Sequence, residues 1–488
     1  MKKVVVVGAG IAGLSAAIYA QRSGFDVTLC EQHSLVGGMC TSWRRKGYLF
    51  EGTINWLTGS NPKTEVYQMW KDTGALNDKV KVYLHETFRT IEWEGKNISI
   101  YRDIEKTAQQ LHKLSPKDEQ NIRRLVKDVK SFSHMQMPVI DIKGVKSQNP
   151  KRLSLGSVIK MLPAFPVANK LSKISCKDYI GRFKHPGVQK LLSFITDDHA
   201  ATCLIASLAT FDSGDGGYPE GGSLAMVDRM AETFKSLGGK LMLKTKVKRV
   251  VIESGSATGV MLENDILPAD AVIVTQETIA ALDRLFHTPL QDAWLKELRE
   301  TTKSSVCTFI SLGIRAVLPD ILPVWKLEDP IYYAGKTVTE IGFNNYARYE
   351  SYAPIGCSTL TTEFNDDTYD FWRIAKEEGC YEEEKRMLAN QISQAIIKKY
   401  PQTEGNIEVI DIATPMTYER YTNAYHGSWM SVTRAGDRMK TYPGFLESVK
   451  GLYFAGHRIM PPGGLPTALV TGRRAAQMVC RQFDVMFR

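Results

Sequence analysis

The residues with the plainest chemical role lie near the amino terminus, where glycines recur at fixed spacing before an acidic residue. They are Gly8, Gly10, Gly13, Glu31, Gly37 and Gly38. Gly8 permits a tight turn, Gly10 lets the backbone approach a pyrophosphate because it has no Cβ, and Gly13 lets a helix pack closely on strands. Ile11 and Ala12 lie in this turn and are candidate cofactor contacts. The free N–H groups at the start of the following helix would bind phosphates, and Glu31 would accept hydrogen bonds from a ribose diol. The pattern predicts a dinucleotide site.

The elements around these glycines provide the setting that such a site needs. A predicted strand, Val4–Val7, enters the turn, a helix, Leu14–Ser23, leaves it, and a second strand, Asp26–Cys30, ends at the acidic residue. The acid lies about twenty residues beyond the turn, as in nucleotide-binding βαβ units. The glycine pair that follows resembles the extended FAD motif of glutathione-reductase-like flavoproteins. Because Glu31 favours a free ribose, FAD is the predicted cofactor and NADP is disfavoured.

Length and composition limit the architecture and the location. The chain has 488 residues, too many for one small core, so two or three lobes are expected. It contains no stretch of about twenty apolar residues, so no transmembrane helix is predicted. The first strand begins next to Met1, which leaves no room for a signal peptide, and a cytoplasmic location is expected. The eight cysteines form no CxxC pair, and no metal site is predicted.

Most of the net positive charge falls in one segment, residues 142–177, which contains no acidic residue. The bases are Lys143, Lys146, Lys151, Arg152, Lys160, Lys170, Lys173 and Lys177, against a net charge of +9 for the chain. Apolar residues lie between them, and Pro163 and Pro166 interrupt any long helix. The pattern suits the surface of an anionic bilayer, and a solvated basic loop over an ordinary core is the alternative. Nucleic acid is not an expected partner, because no pattern of stacking aromatics accompanies the lysines.

Periodicity and turn residues predict the remaining elements. Helices are predicted over 104–114, 117–132, 223–237 and 381–400, and strands over 88–93, 97–101, 240–244, 247–253, 257–263, 271–274, 304–314 and 358–364. The block 451–488 is predicted as a strand, a Gly/Pro turn and a long helix. The predicted domains are an FAD-binding domain in three segments (1–105, 216–280 and 426–488), a helical basic-apolar segment (106–215) and a substrate domain (281–425).

Three further motifs resemble those of the group that includes bacterial-type phytoene desaturases, carotenoid isomerases and retinol saturases, over nearly the full length. They are Tyr218-Pro219-Glu220-Gly221-Gly222, Ala413-Thr414-Pro415-Met416-Thr417-Tyr418-Glu419-Arg420-Tyr421 and Gly451-Leu452-Tyr453-Phe454-Ala455-Gly456. The resemblance implies a doubly wound α/β FAD-binding domain and an α+β substrate domain with a mixed sheet. It implies further cofactor contacts from Val247, Gly456, His457, Gly464 and Leu465. Met39, His457 and Met460 depart from the residues that many relatives carry.

The implied function is FAD-dependent desaturation or saturation of a C=C bond in a lipophilic polyene or other lipid. In such enzymes the flavin carries the chemistry, and the protein supplies orientation and electrostatics. Three alternatives stay open: polyene cis–trans isomerisation without net redox change, oxidation of amines, and flavin or lipid binding without turnover. The electron partner is a quinone, oxygen or a reductase, because no second GxGxxG indicates an NAD domain.

The same resemblance places His457 and Arg458 beside the flavin as candidate catalytic residues. His457 would titrate near neutrality and donate to flavin or substrate, or would only bond the ribityl chain. Arg458 would stabilise anionic reduced flavin, or would only pair with an acid. Glu51 is expected to be structural, and His426 and Trp429 are further candidates on the substrate side.

Two polar runs are predicted to have no catalytic role. Asp197-Asp198-His199 is interpreted as a helix-end cluster, because adjacent residues do not readily converge on one metal ion. The run 212–217 lacks the Gly-Lys-Ser/Thr of a P-loop and is predicted as a flexible loop beside the cavity.

Overall fold

The computed structural model describes residues 1–135, 137–152, 155–365, 367–438 and 440–488. The amino-terminal part contains β1 (Lys3–Val7), α1 (Ile11–Arg22), β2 (Asp26–Cys30), β3 (Ser42–Arg45), β4 (Tyr48–Glu51), α2 (Glu65–Asp72), β5 (Val82–Tyr83), β6 (Thr87–Trp93) and β7 (Lys96–Tyr101). The helical part that follows contains α3 (Ile104–Leu114), α4 (Glu119–Phe132), α5 (Leu155–Met161), α6 (Ala164–Leu171), α7 (Cys176–Ile180), α8 (Pro186–Leu192) and α9 (Ala201–Asp212).

Strands then return to the amino-terminal part before a second α+β region begins. The returning elements are β8 (Tyr218–Pro219), α10 (Gly222–Ser236), β9 (Lys240–Met242), β10 (Arg249–Glu253), β11 (Ser256–Met261), β12 (Ile266–Pro268) and β13 (Ala271–Val274). The second region contains α11 (Thr278–Arg284), α12 (Ala293–Thr301), β14 (Ser304–Ser305), β15 (Thr308–Ile314), β16 (Trp325–Tyr333), β17 (Lys336–Ile341), β18 (Asn344–Asn345), β19 (Ser358–Phe364), α13 (Tyr369–Glu377), α14 (Tyr381–Lys399), β20 (Ile407–Ala413) and α15 (Pro415–Thr422). The chain ends with β21 (Met430–Ser431), β22 (Leu452–Phe454) and α16 (Leu465–Gln482).

A parallel sheet with the order β22-β13-β1-β2-β9 forms the centre of the molecule. Both of its faces are covered, which is why β1 is a continuous apolar run, buried from Val4 to Val7. Helix α1 is buried from Ile11 to Ala20 between this sheet and the helices α10 and α16. The predicted doubly wound α/β fold is confirmed. The strand predicted over 240–244 is β9, which forms the edge of this sheet.

A second sheet, β18-β19-β15-β20, pairs antiparallel throughout the strands that the structure describes. The prediction of a mixed sheet here is wrong. One face packs on α14, where Ile310 and Leu312 meet Leu388 and Ile392 in a buried cluster. The other face borders a cavity, and a sheet with only one face on a core is the setting in which antiparallel pairing is common.

The helical part packs on the hairpin β6–β7 through its own apolar core. Pro163 separates α5 from α6, as predicted, but Pro166 lies inside the first turn of α6. Four apolar side chains of this region point to solvent: Leu155, Ile159, Leu162 and Phe165. Among the described residues, no helix is both long and apolar enough to cross a bilayer.

Candidate functional site

A cavity of about 3380 Å³ joins the carboxyl ends of the parallel strands to the antiparallel sheet. Nearly all of the predicted cofactor and catalytic residues line it: Gly8, Gly10, Ile11, Ala12, Glu31, Gly37, Gly38, Val247, Gly456, His457, Arg458, Gly464 and Leu465. Gly13 is the exception, because it faces the strands. Segments separated by more than 400 residues therefore meet at one site, at the sheet edge where α/β proteins bind ligands.

Gly8 and Gly13 are explained by the protein alone. Gly8 has a φ of +99°, in the region that favours glycine. A Cβ on Gly13 would lie 1.8 Å from the carbonyl oxygen of Gly8, so any side chain here would push α1 away from β1. The predicted turn and the predicted close packing of helix on strand are both present.

Gly10 is different, because nothing in the protein demands a glycine there. Its φ is −72°, which every residue type adopts, and a Cβ would meet only the carbonyl oxygen of Gly37 at 3.6 Å, an ordinary contact. The space that a side chain would fill is part of the cavity. A glycine with no internal requirement fits the close approach of a pyrophosphate to the backbone.

Glu31 lies across the turn with its carboxylate held by backbone donors. The N–H of Ala9 donates to Oε2 at 2.8 Å, and the N–H of His33 donates to Oε1 at 2.9 Å. Each carboxylate oxygen has a second acceptor site. Glu31 therefore has a fixed orientation and spare capacity for the hydroxyl groups of a ribose.

Two helices begin at the cavity without a side-chain cap. Gly10 precedes α1 and Gly464 precedes α16, and neither helix has a capping side chain, so the first N–H groups have no intrahelical partner. The helices cross closely, because a Cβ on Gly472 would lie 2.3 Å from the carbonyl oxygen of Ala12. Together they present two positive helix ends to an anionic group such as a pyrophosphate.

His457 follows the end of β22 and lines the cavity. Its Nε2 is buried and has no hydrogen-bond partner among the described residues. Burial, together with the positive charge of Arg458, lowers the pKa of His457 to about 3. The prediction that it titrates near neutrality is wrong, because burial and the neighbouring positive charge disfavour the imidazolium. A neutral ring with an unsatisfied nitrogen suits a hydrogen bond to a bound group.

Arg458 is buried and pairs with an acid, which was one of its two predicted roles. Its Nε lies 2.8 Å from Oε1 of Glu277, and its Nη1 donates to Oγ of Ser431 at 2.6 Å. Its Nη2 donates to Oγ of Ser428. These bonds tie β21 and the residues just before it to the segment after β13, so Arg458 positions the wall behind His457.

The other candidate residues from the sequence differ in whether they line the cavity. Glu51 is buried away from the cavity and accepts hydrogen bonds from Tyr218 and Ser223, so the structural role expected for it is confirmed. His426 stacks between Tyr369 and Tyr425, with ring centroids 4.4 Å and 3.9 Å apart, and does not line the cavity.

Trp429 does line the cavity, and its Nε1 is buried without a hydrogen-bond partner among the described residues. It packs near Phe309 and Tyr418, at the end of the antiparallel sheet that faces the nucleotide turn.

The two polar runs have ordinary surroundings. Asp198 pairs with Arg434 at 2.8 Å. Asp215 is buried and accepts hydrogen bonds from Gly59, Ser60 and Asn61, so the run 212–217 lines the cavity but is anchored at this residue rather than flexible.

Sequence reasoning missed the segment after β13. Thr275, Gln276 and Glu277 line the cavity, and the hydroxyl of Thr275 donates to the carbonyl oxygen of Gly8 at 2.9 Å. A signal was present, because β13 was predicted as a strand and residues after the carboxyl ends of parallel strands gather at one edge. Its pairing next to β1 was not evident from the sequence.

Aromatic side chains line the cavity on the side of the helical part. Phe88 packs against Phe211 and Phe194, with ring centroids 4.5 Å and 4.7 Å apart, and Trp56 lies 5.5 Å from Phe211. These four residues, which we call the aromatic cluster, come from β6, the end of α9 and two loops. They offer a long ligand apolar faces without hydrogen-bond groups, except for the indole N–H of Trp56.

The family model described as flavin containing amine oxidoreductase matches residues 11–480. The chain belongs to this family. Membership confirms the predicted FAD cofactor and the prediction of an FAD-dependent oxidoreductase.

Individual relatives match over nearly the full length at low identity. The phytoene desaturase (lycopene-forming) of Paracoccus sp. (strain N81106 / MBIC 01143) is 26% identical over 514 residues, covering 98% of this chain and 97% of the relative. The prolycopene isomerase 1 of an Oncidium hybrid cultivar is 23% identical over 520 residues, covering 99% and 84%. An oxidoreductase from Methanosarcina mazei shares the fold, with a TM-score of 0.60 and 19% identity over 96% of this chain and 98% of that one. The predicted resemblance to carotenoid desaturases and isomerases is confirmed.

Proposed function

We propose that this protein uses FAD to desaturate or saturate a C=C bond of a lipophilic polyene, such as a carotenoid-like or retinoid-like molecule. The observation that carries the proposal is the continuity of the cavity, which runs from the glycine turn to the aromatic cluster. A nucleotide-type site and an apolar, aromatic-lined space thus open into each other. The full-length similarity to a phytoene desaturase supports the same substrate class.

The geometry supports a particular set of residues as those that would hold FAD. The turn from Gly8 to Gly13 and the first N–H groups of α1 and α16 would hold the phosphates, and Glu31 would hold the ribose. Further contacts would come from Gly37, Gly38, Val247, Gly456, His457, Gly464 and Leu465, which line the cavity. When bound, FAD supplies the redox chemistry by accepting or returning a hydride equivalent.

The chain's own residues would position the bound groups, exclude water from the cavity and donate hydrogen bonds. His457, neutral at physiological pH, offers an imidazole nitrogen to the bound group, and Arg458 positions His457 through its bonds to Glu277 and Ser431. The aromatic cluster excludes water and holds an apolar chain by packing. In this proposal His457 contacts the cofactor, and Arg458 acts through the wall that it holds.

The segment 142–177 lies beside this cavity, and its exposed side chains support contact with a membrane surface. Leu155, Ile159, Leu162 and Phe165 are 76%, 56%, 54% and 48% exposed, and basic residues flank them. Phe165 also lines the cavity, so this exposed apolar surface lies at an edge of the substrate space. Anionic lipids would attract the lysines while the apolar side chains enter the interface. A peripheral location on the cytoplasmic face of a membrane, with a quinone, oxygen or a reductase as electron partner, completes the proposal.

A second candidate is polyene cis–trans isomerisation without net electron transfer. The observation in its favour is the match to a prolycopene isomerase over 99% of this chain. The apolar cavity serves both reactions equally, since neither needs a polar handle on the substrate.

Anaerobic incubation of the FAD-loaded protein with a panel of polyenes, read by mass spectrometry and chromatography, tests both. Loss of one hydrogen pair from the polyene with oxidised FAD, or gain of one pair with FAD that was reduced beforehand, supports the redox function. Conversion at constant mass supports isomerisation. If every polyene is recovered unchanged while amines incubated with the protein in air yield hydrogen peroxide, both proposals fail in favour of an amine oxidase.

A further inference from the structure

Arg89 is a cation in the cavity wall for which the protein provides no direct partner. It lies in β6, directly after Phe88 of the aromatic cluster, and both residues line the cavity. Its guanidinium makes no hydrogen bond or ion pair with any residue that the structure describes, and its Nε is buried. Glu340 borders the same part of the cavity but is 2.9 Å from Lys190, which takes up its charge.

An irregularity in the pairing of β6 explains why the consecutive residues Phe88 and Arg89 both line the cavity. The pairing of β6 with β7 shifts between Thr87, which faces Tyr101, and Arg89, which faces Ile100. Phe88 is the extra residue of this bulge. Side chains alternate between faces along a regular strand, and a bulge breaks that alternation and redirects a side chain. The bulge thus sets an apolar ring and a cation side by side at the cavity.

Burial of an unpaired charge is costly unless a ligand or a counter-charge compensates for it. Burial lowers the pKa of Arg89 to about 10, with an opposing contribution from Glu340, so the guanidinium remains charged at physiological pH. A planar guanidinium with free N–H groups matches a carboxylate in geometry and charge.

We propose that Arg89 anchors the carboxylate of a lipid or polyene whose apolar chain lies along the aromatic cluster. The inference rests on the proposed function for the lipophilic substrate and adds that this substrate carries an acidic end group. Trp56, Phe88 and Phe211 would hold the chain, and Arg89 would fix which end enters the cavity first. A neutral hydrocarbon would leave the cation unpaired and bind less tightly.

The test compares all-trans-retinoate with all-trans-retinol, which share a polyene and differ in end group, by equilibrium dialysis against the FAD-loaded protein. We expect wild type to bind retinoate at least about tenfold more tightly than retinol, as one charged hydrogen-bonded pair provides. Arg89→Met should abolish that preference, and Arg89→Lys should keep part of it. Arg123→Met, on an exposed helix surface outside the cavity, should leave the preference intact.

Thermal denaturation without ligand separates an anchor from a structural residue. Arg89→Met should leave the melting temperature unchanged or raise it, because it removes a partly buried charge without a direct partner. The variant should also lose the stabilisation that retinoate gives wild type. Equal affinities of wild type for the two retinoids, a preference that survives in Arg89→Met, or a large drop in melting temperature without ligand would overturn the proposal.

Two further ligands test which part of the bound lipid Arg89 and the cavity recognise. Palmitate in place of retinoate tells a saturated lipid acid from a polyene acid, and tight binding of either in an Arg89-dependent manner supports the anchor. Acetate, a carboxylate without a chain, should not compete. Conversion of hydrocarbon polyenes without any preference for acids would overturn the anchor and leave the proposed redox function standing.

Discussion

Arg458 and Glu277 form an ion pair at 2.8 Å in which the side chains are only 1% and 4% exposed. The pair joins the residue after His457 to the acid that caps α11, since Glu277 also accepts a hydrogen bond from the N–H of Ala280. The folded protein tolerates a charge buried this deeply only because the opposite charge of its partner compensates for it.

We therefore expect Arg458→Met to lower the free energy of unfolding by roughly 3–5 kcal/mol, because it leaves Glu277 buried and uncompensated. The double variant Arg458→Met/Glu277→Gln should lose less than the two single losses added together. Urea unfolding measures both quantities. Lys71→Met, which removes an exposed pair with Asp78, is the control and should leave the unfolding midpoint nearly unchanged. Additive losses would contradict the pair's role.

Substitution of Gly13 and substitution of Gly10 should have different effects, the first on stability and the second on FAD affinity. Gly13→Ala should destabilise the fold by about 1–3 kcal/mol or more, because its Cβ would lie 1.8 Å from a carbonyl oxygen. Gly10→Ala should keep its melting temperature without FAD, since its Cβ has room, but should lose FAD affinity at least about tenfold through contact with the phosphate. Flavin fluorescence on titration and thermal denaturation of the FAD-free protein separate the two effects. A Gly10→Ala protein that binds FAD normally would show that Gly10 does not contact the cofactor.

His457 makes stability depend on pH with a definite sign. Its pKa is about 3 in the folded protein, against an ordinary value of 6.5. Below pH 6.5 the unfolded chain therefore takes up a proton that the folded protein excludes, and stability falls as pH falls toward 3. From pH 7 to pH 5 this residue should cost up to about 2 kcal/mol.

His457→Gln should remove that part of the pH dependence, as measured by urea unfolding at the two pH values. A residual slope of the same sign should persist from His85, whose pKa burial and Arg348 lower to about 4. His112→Gln, on α3 outside the cavity, is the control. If His457→Gln and wild type lose the same stability between pH 7 and pH 5, the imidazole is not held neutral.

The exposed apolar side chains of α5 and the turn after it predict membrane binding. Ile159→Asp/Leu162→Asp should weaken co-sedimentation with vesicles of phosphatidylserine and phosphatidylcholine at least about tenfold, since burial of each side chain in the interface contributes on the order of 1 kcal/mol. Ile355→Asp removes an apolar side chain that is even more exposed but lies outside the basic segment, and it should have no effect. Wild type should bind neutral vesicles more weakly, and its binding to the vesicles that contain phosphatidylserine should fall with added salt. Equal binding by all three proteins would refute this contact.

Local patterns predicted elements well where the sequence contains both a periodicity and its end signals. Helix 104–114 was predicted with the bounds that the structure shows, since Asp103 caps it and apolar residues recur at helical spacing. The strand 271–274 is also as predicted. The turn from Gly8 to Gly13 could be predicted with its cofactor because both its structure and its chemistry are local.

Features that depend on distant segments were not predictable in the same way. Glu277 and Arg458 are 181 residues apart, and only the order of the parallel strands brings them together. The aromatic cluster draws on Trp56, Phe88, Phe194 and Phe211, and no single stretch of sequence marks them as neighbours. The pKa of His457 follows from its surroundings, which the residue type does not reveal.

The proposed redox function is tested most directly by counting electrons. The FAD-loaded protein, mixed anaerobically with one equivalent of a polyene, should change the oxidation state of its flavin and the mass of the polyene together. The expected result is one flavin reduced for each double bond formed, or one flavin reoxidised for each double bond saturated. Polyene recovered with its mass unchanged, with the flavin in its starting state whether it began oxidised or reduced, would contradict the proposed function.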